Sequence, residues 1–435
     1  MSSVRQHVAI SKARRSIDQR VSPVQRVRAV QAATGEAQRP GRAVPQEPRA
    51  PVAAAGGRPP WHYAKHVSAQ LDPAADLRVT RRHVRYAQRE VLWRESGLER
   101  VRKCGRVTVG GSGHVMIRSN AGVAHYAGLT TCGSIWACPV CSGKIRNTRA
   151  TEISGATAAW DRAGNGVYMI TFTAPHDMGM KLRPLISAIA DGFRTVISGR
   201  AWITLRKRLG IVGTIRAMEV TYGEHGWHPH LHVLVYISGH PDARQLADLT
   251  VYVRQRWARF IVNAGYRMPH GQHGVNVIRC ASAEEAGQYI AKTQDGQAVG
   301  NEMARADLKQ GRAGGRTPFE ILDDFRWTGD ADDLAVWREY ERATKGRQAI
   351  TWSKGLRKIL AVTERTDEEI AAEEIGGEDL AVIHGDDWRN IVQVPGLAAL
   401  ILDRIERGGL AAVNELLDRY HVGQAREPWM LRYLE

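Results

Sequence analysis

The chain has 435 residues, room for two or three domains, and its 61 lysines and arginines against 45 acids leave a formal charge of +16. That excess points to a polyanionic partner, nucleic acid first, although an ordinary basic protein would show the same balance. No apolar run approaches the ~18 residues of a bilayer span and no secretory core opens the chain, so a membrane partner is excluded and a cytoplasmic location expected. The five cysteines are too few and too uneven for a disulfide framework.

Residues 1–65 are rich in Arg, Ala, Pro, Gln and Gly without helical or strand period, and read as a disordered basic tail. Its arginines either add non-specific DNA affinity through counterion release or decorate a solvated extension.

Residues 66–150 read as a helical, cysteine-rich module. A helix is expected from Asp76 to about Glu99, followed by Cys104-Gly105, Cys132-Gly133 and Cys138-Pro139-Val140-Cys141. Four thiolates beside Gly and Pro suit the tight turns of a structural zinc site. The 27-residue gap between Cys104 and Cys132 is long, so His125 or His114 is an alternative to Cys104. Unpaired buried thiols and a redox pair at Cys138 and Cys141 are the competing readings.

From Lys144 to Ala163 the pattern is helical again. A strand is then expected at Val167–Ala174, a helix at Leu182–Ile197, strands at Thr214–Tyr222 and Trp227–Tyr236 across the turn at residues 223–226, a helix at Asp242–Ala264 and a strand at Gly274–Arg279. A helix opens at Ser282. The order β-α-β-β-α-β predicts an α+β, ferredoxin-like antiparallel sheet with helices on one face.

The second hairpin strand carries His228, His230 and His232. Alternate residues share a strand face, so the three imidazoles point the same way, about 6–7 Å apart at the usual rise. Glu219, on the partner strand, is a candidate third ligand or a surface ion-pair partner. Imidazoles with a carboxylate suit Mn²⁺ well and Mg²⁺ tolerably, with positions open for water and a phosphate oxygen. On the helix from Ser282, Glu285, Tyr289 and Lys292 share a face. Tyr289 beside Lys292 suits a nucleophile, and Glu285 is also explained as a capping box with Ser282.

These residues resemble the rolling-circle replication initiators of small plasmids, of actinobacterial type, within the endonucleases named for their His-hydrophobic-His (HUH) motif. Three motifs match in order: Met169-Ile170-Thr171-Phe172-Thr173-Ala174-Pro175-His176; His228-Pro229-His230-Leu231-His232; and Tyr289-Ile290-Ala291-Lys292. The Cys-Pro-x-Cys segment, Thr317-Pro318-Phe319-Glu320 and Trp337-Arg338-Glu339-Tyr340 match as well, so the likeness covers about residues 100–360. The resemblance implies an HUH endonuclease domain at 151–300, metal ligation by His230 and His232, and Tyr289 as the nucleophile that becomes joined to DNA. It also implies Glu285 as the activator of water in the closing step. Implied partners are single- and double-stranded origin DNA, with a host helicase and polymerase. Residues 301–435 read as a helical C-terminal region, acidic at Thr366–Glu374 and helical from Leu397 to Tyr420.

Three rivals stand beside this reading. A single-tyrosine transposase keeps the same motif order. A conjugative relaxase is disfavoured, because Tyr289 follows His232 by 57 residues instead of preceding it. A zinc-containing DNA-binding regulator explains the charge and the cysteines but leaves the histidine strand unused.

Overall fold

In a computed structural model, residues 73–111, 113–280, 282–283, 286–287 and 315–433 are described. They belong to the second of two units, Arg58–Glu435; the first, Met1–Gly57, and with it the expected tail, lies outside the described residues.

Helix α1 spans Pro73–Glu95 and the short α2 spans Glu99–Lys103. Strands β1 (His114–Asn120) and β2 (Val123–Ala127) form a hairpin, and α3 runs Pro139–Arg162. Then come β3 (Gly166–Thr173), helices α4 (Leu182–Val196) and α5 (Gly199–Leu209), and the long hairpin β4 (Ile211–Gly223) and β5 (Gly226–Ile237). Helix α6 (Ala243–Asn263) leads to β6 (Val275–Arg279). The C-terminal part holds α7 (Pro318–Thr328), α8 (Ala331–Thr344), β7 (Ile350–Trp352), α9 (Asp367–Ala372), β8 (Glu378–His384), α10 (Gly385–Ile391), α11 (Leu397–Tyr420) and β9 (Ala425–Arg426).

The described residues form a mixed α/β protein with two antiparallel sheets. The five-stranded sheet runs β6-β3-β5-β4-β7, so the histidine strand β5 is central. Pro229 sits where this costs least: the β3 ladder ends at the Thr173–His230 pair, leaving Pro229 a strand neighbour only on the β4 side.

Helices cover both faces of this sheet, against the one face expected. On one face Leu231, Val233 and Val235 pack against Leu185, Ile189 and Phe193 of α4 and Leu249, Val253 and Trp257 of α6. Those spacings of three and four make each helix amphipathic. Asp242 starts α6 with a capping box, accepting from Gln245 N at 2.7 Å while Gln245 Oε1 accepts from Asp242 N at 2.9 Å. Trp257 Nε1 donates to the Thr173 carbonyl at 3.1 Å, which fixes α6 against the end of β3 beside the histidines. The opposite face buries Met169, Leu234 and Tyr236 under Ile153 of α3 and Ala286. A second helix, α5, follows α4 where one was expected.

The C-terminal region is not purely helical. Strand β7 extends the five-stranded sheet, and β8 and β9 join β1 and β2 in a four-stranded sheet ordered β2-β1-β8-β9. Its core buries Val115, Ile117, Ala381 and Ile383 against Trp388 of α10 and Ile401, Leu402 and Leu417 of α11. Helix α11 matches the expected Leu397–Tyr420, with a break at Gly409. The two matched segments behind the third motif are core and caps: Phe319, Trp337 and Tyr340 are buried, and Thr317 with Glu320 forms the capping box of α7.

Candidate active site

Cross-strand pairing fixes the neighbours of each histidine. His230 lies between Glu219 on β4 and Thr173 on β3; His232 lies between Ala217 and Thr171. His232 is held at both ring nitrogens: Nε2 lies 3.0 Å from Glu219 Oε2 and Nδ1 lies 3.1 Å from Thr171 Oγ1. An ionised carboxylate can only accept, so with Glu219 charged Nε2 donates and Nδ1 accepts from the Thr171 hydroxyl. Two ligands at right angles on a cation with bonds of about 2.1 Å sit about 3.0 Å apart, so this nitrogen–oxygen pair has a spacing compatible with adjacent positions of an octahedral site.

The remaining histidines form a row. The His230 and His232 rings are stacked with centroids 5.9 Å apart, His228 lies 4.1 Å from His230, and His176 stacks on His228 at 4.5 Å. Burial, with His230 and His176 beside it, pushes the His228 imidazole down to about 3, so it is neutral near pH 7. Among the described residues the four cysteines are gathered as a group of three or more metal-ligand atoms within 4.8 Å; His230 is not drawn in that closely with His232 and Glu219. His176 went unrecognised as a site residue. Its position two residues past Ala174, the expected end of β3, was the available signal.

Glu285, Tyr289 and Lys292 lie outside the described residues. Nearby, Ala286 N donates to Ser282 O at 3.2 Å, one turn of helix, and Ala286 is fully buried with Ala217 and Leu234, on the face that carries His232. Gly287 presses on α3, where a Cβ would stand 1.9 Å from Ser154 Oγ and 3.0 Å from Ala150 O.

The cysteines converge as expected, and Cys104 completes the set. Sγ–Sγ separations are 3.7 Å for Cys104–Cys138, 3.6 Å for Cys104–Cys141 and 3.7 Å for Cys132–Cys141. Zinc–sulfur bonds of about 2.3 Å in a tetrahedron place sulfurs about 3.8 Å apart, so the buried cluster fits a metal such as zinc. Gly105 and Gly133 follow Cys104 and Cys132 with φ of +63° and +60°, a backbone that favours glycine, and Gly105 N donates to Thr130 O at 2.8 Å to tie the two knuckles together. Cys138 caps α3, accepting from Cys141 N at 3.5 Å. Hydrogen bonds from Cys132, Cys138 and Cys141 hold the Cys104 thiol well below its ordinary value. His125 instead meets Ile375 O at 2.9 Å, and His114 stacks edge-on with His384.

A cavity of about 1200 Å³ opens at the β7 edge, between the cysteine-bearing segment and the end of α8, with Lys345, Lys354 and Lys358 on its lining. Across the sheet Ile350, Ala217 and His232 fall in one register line. Among the described residues no helix is long and apolar enough to cross a membrane.

No family model matches the chain, and no solved structure does. Among curated proteins, one named "Protein rep" from Streptomyces lividans is 34% identical over 350 residues, covering 65% of this chain and 76% of the relative. A "Neomycin resistance protein" from Streptomyces cyanogenus is 36% identical over 159 residues, covering 31% of this chain and 36% of the relative. A further "Protein rep" from a Bacillus species is 30% identical over 104 residues, covering 22% of this chain and 31% of its own length. With three quarters of the Streptomyces lividans relative matched at that identity, the chain belongs to the Rep protein family.

Proposed function

We propose that this protein initiates plasmid replication by nicking single-stranded origin DNA with Tyr289, within a ferredoxin-like HUH core. The observation that carries the reading is the His232–Glu219 contact on the sheet face against which Ala286, three residues before Tyr289, is packed. The strand order β6-β3-β5-β4, with the histidines on its central pair, supports the core assignment.

His230, His232 and Glu219, with His228 at the side, would hold Mg²⁺ or Mn²⁺, which when bound polarises a phosphate oxygen. His232 is the ligand whose orientation is best fixed, because Thr171 holds its far nitrogen. The Tyr289 oxygen attacks the scissile phosphorus, the bond to the 3′ oxygen breaks, and that oxygen leaves as a 3′-hydroxyl once it takes up a proton. The product is a 5′-phosphotyrosyl bond and a primer end for the host polymerase. Lys292 lowers the phenol's pKa and faces the negative charge. At termination Glu285 accepts a proton from water directed at the regenerated junction. The cysteine cluster holds a structural Zn²⁺ that fixes the start of α3. The basic surface holds origin DNA, single- and double-stranded, and a host helicase would act on the nicked product.

The test is cleavage of single-stranded origin oligonucleotides with Mn²⁺ or Mg²⁺ by wild type and Tyr289→Phe. A covalent protein–DNA band in wild type and none in the variant is expected. Equal cutting by both proteins would remove Tyr289 from the mechanism, and no cutting by either would favour a regulator.

A further inference from the structure

The cysteine cluster has a buried neighbour that the nicking reaction leaves unused. Arg89 on α1 is only 4% exposed. Its guanidinium carbon lies 4.2 Å from the centroid of the Tyr86 ring and 5.5 Å from that of Trp93. Nε and Nη2 meet no hydrogen-bond partner among the described residues, and no carboxylate there pairs with the cation. A buried guanidinium with unmet donors and no counter-charge is strongly unfavourable, so a compensating negative group must lie close by.

The backbone at the first cysteine is shaped around this side chain. Gly105 follows Cys104, and a Cβ there would stand 2.1 Å from Arg89 Nη1 and 2.6 Å from its Cζ, so any side chain would push the guanidinium away. Trp93, one turn along α1 from Arg89, donates through Nε1 to the Cys104 carbonyl at 2.9 Å. The cation is thus fixed against the loop that carries Cys104, in the same buried core as the other three cysteines.

Four thiolates on a divalent cation carry a net charge of two minus. In a buried site that charge needs a cation nearby, and Arg89 is the buried cation seated against the Cys104 loop. We propose that Arg89 is the charge-compensating and positioning residue of the cysteine metal site, its guanidinium offsetting the net negative charge of the zinc-bound cluster and so slowing loss of zinc. A buried cluster with two uncompensated negative charges is costly, and a fixed positive charge beside it offsets that cost while the metal is bound. This rests on the cluster holding zinc and is independent of the nicking reaction.

The experiment uses the full chain as wild type, Arg89→Met and Arg89→Lys. Zinc content is measured by atomic absorption, zinc release by transfer to a chromogenic chelator in native buffer, and the sulfur-to-metal charge-transfer band after replacement by Co²⁺. The Met variant is expected to release zinc about 10–100-fold faster, the range seen when an outer-shell partner of a metal site is removed. Its cobalt band should move to lower energy, because the sulfurs no longer feel a cation; a packing role would not move the band that way. The Lys variant, which keeps the charge, should stay near wild type on both readouts. Wild-type release and an unmoved band in a folded Met variant overturn the proposal. If the Met variant does not fold, a Lys variant with a shifted band and fast release overturns it, while wild-type behaviour supports it. A wild-type chain without zinc overturns the zinc reading itself and leaves the Tyr289 test untouched.

Discussion

Glu219 stands directly across the β4–β5 ladder from His230, yet its carboxylate leans along the strand to His232, 3.0 Å away. Diagonal pairs of this kind lie within reach for a long side chain on an antiparallel ladder. His228 and His230 lie with ring centroids 4.1 Å apart and planes tilted by 35°, while Glu219 holds the His232 end of the histidine row.

Removing that carboxylate charge should therefore separate binding from cleavage. Glu219→Gln keeps the shape and the hydrogen-bond reach, so affinity for single-stranded DNA without divalent metal should stay at the wild-type value. Mn²⁺-dependent cleavage should fall by about tenfold or more, the scale on which metal sites respond to loss of an oriented partner. A metal titration of cleavage rate with both proteins measures this, and an unchanged dependence would remove Glu219 from the site.

The cysteine cluster makes a structural prediction. Cys141 lies near both Cys104 and Cys132, at 3.6 and 3.7 Å, so Cys141→Ser removes a sulfur from the middle of the set. Metal-binding free energy is also folding free energy in such sites. The variant should lose the bound zinc and melt well below wild type, and strong chelators should lower the wild-type midpoint toward the variant's. Atomic absorption and thermal unfolding check both statements.

Much of the site was legible because its signals are local. The alternation of His228, His230 and His232, the Cys-Gly pairs and the Cys-x-x-Cys segment each lie within a few residues, and strand or turn geometry converts that spacing directly into position. What was missed depends on partners far along the chain. Strand β8 finds β1 more than 250 residues away, pairing Ile383 with Val115, and nothing in Glu378–His384 names that partner. Arg89 is one of several arginines on α1, and the fold brings Gly105 against it. His176 joins the row because β3 ends beside His230, a register that sequence period alone does not fix.

The depressed His228 imidazole gives a pH dependence with a definite sign. Its ordinary value is 6.5 and its folded value about 3, through burial and the neighbouring His230 and His176, with Glu219 opposing. Above pH 6.5 both folded and unfolded chains carry it neutral. As the pH falls from about 6.5 toward 3 the unfolded chain takes up a proton that the folded chain refuses, so stability drops across that window. Without added divalent metal, urea midpoints of wild type should fall more steeply between pH 7 and 4 than those of His228→Gln, about three pH units in which the linkage acts. Parallel curves would mean that the ring accepts its proton in the folded state.

A buried polar cluster joins α1 to α11. Arg82 reaches Asp403 Oδ1 at 2.6 Å and Glu406 Oε1 at 2.5 Å, His83 Nε2 meets Asp403 Oδ2 at 2.5 Å, and Glu406 also accepts from Ala124 N at 2.7 Å. The Arg82, Asp403 and Glu406 side chains are each under 10% exposed, so solvent screens them little. Truncating one member removes a buried charge-assisted pair but leaves its partner a second contact, Arg82 to Glu406 or Asp403 to His83, so the cost falls below the about 3–5 kcal/mol of a fully uncompensated buried charge. Asp403→Ala should lower the urea midpoint accordingly, and Arg82→Ala by a similar amount. The double variant should cost less than the sum of the two, because both truncations remove the same Arg82–Asp403 contact. Additive effects would mean that the Arg82–Asp403 contact contributes nothing to holding α1 against α11.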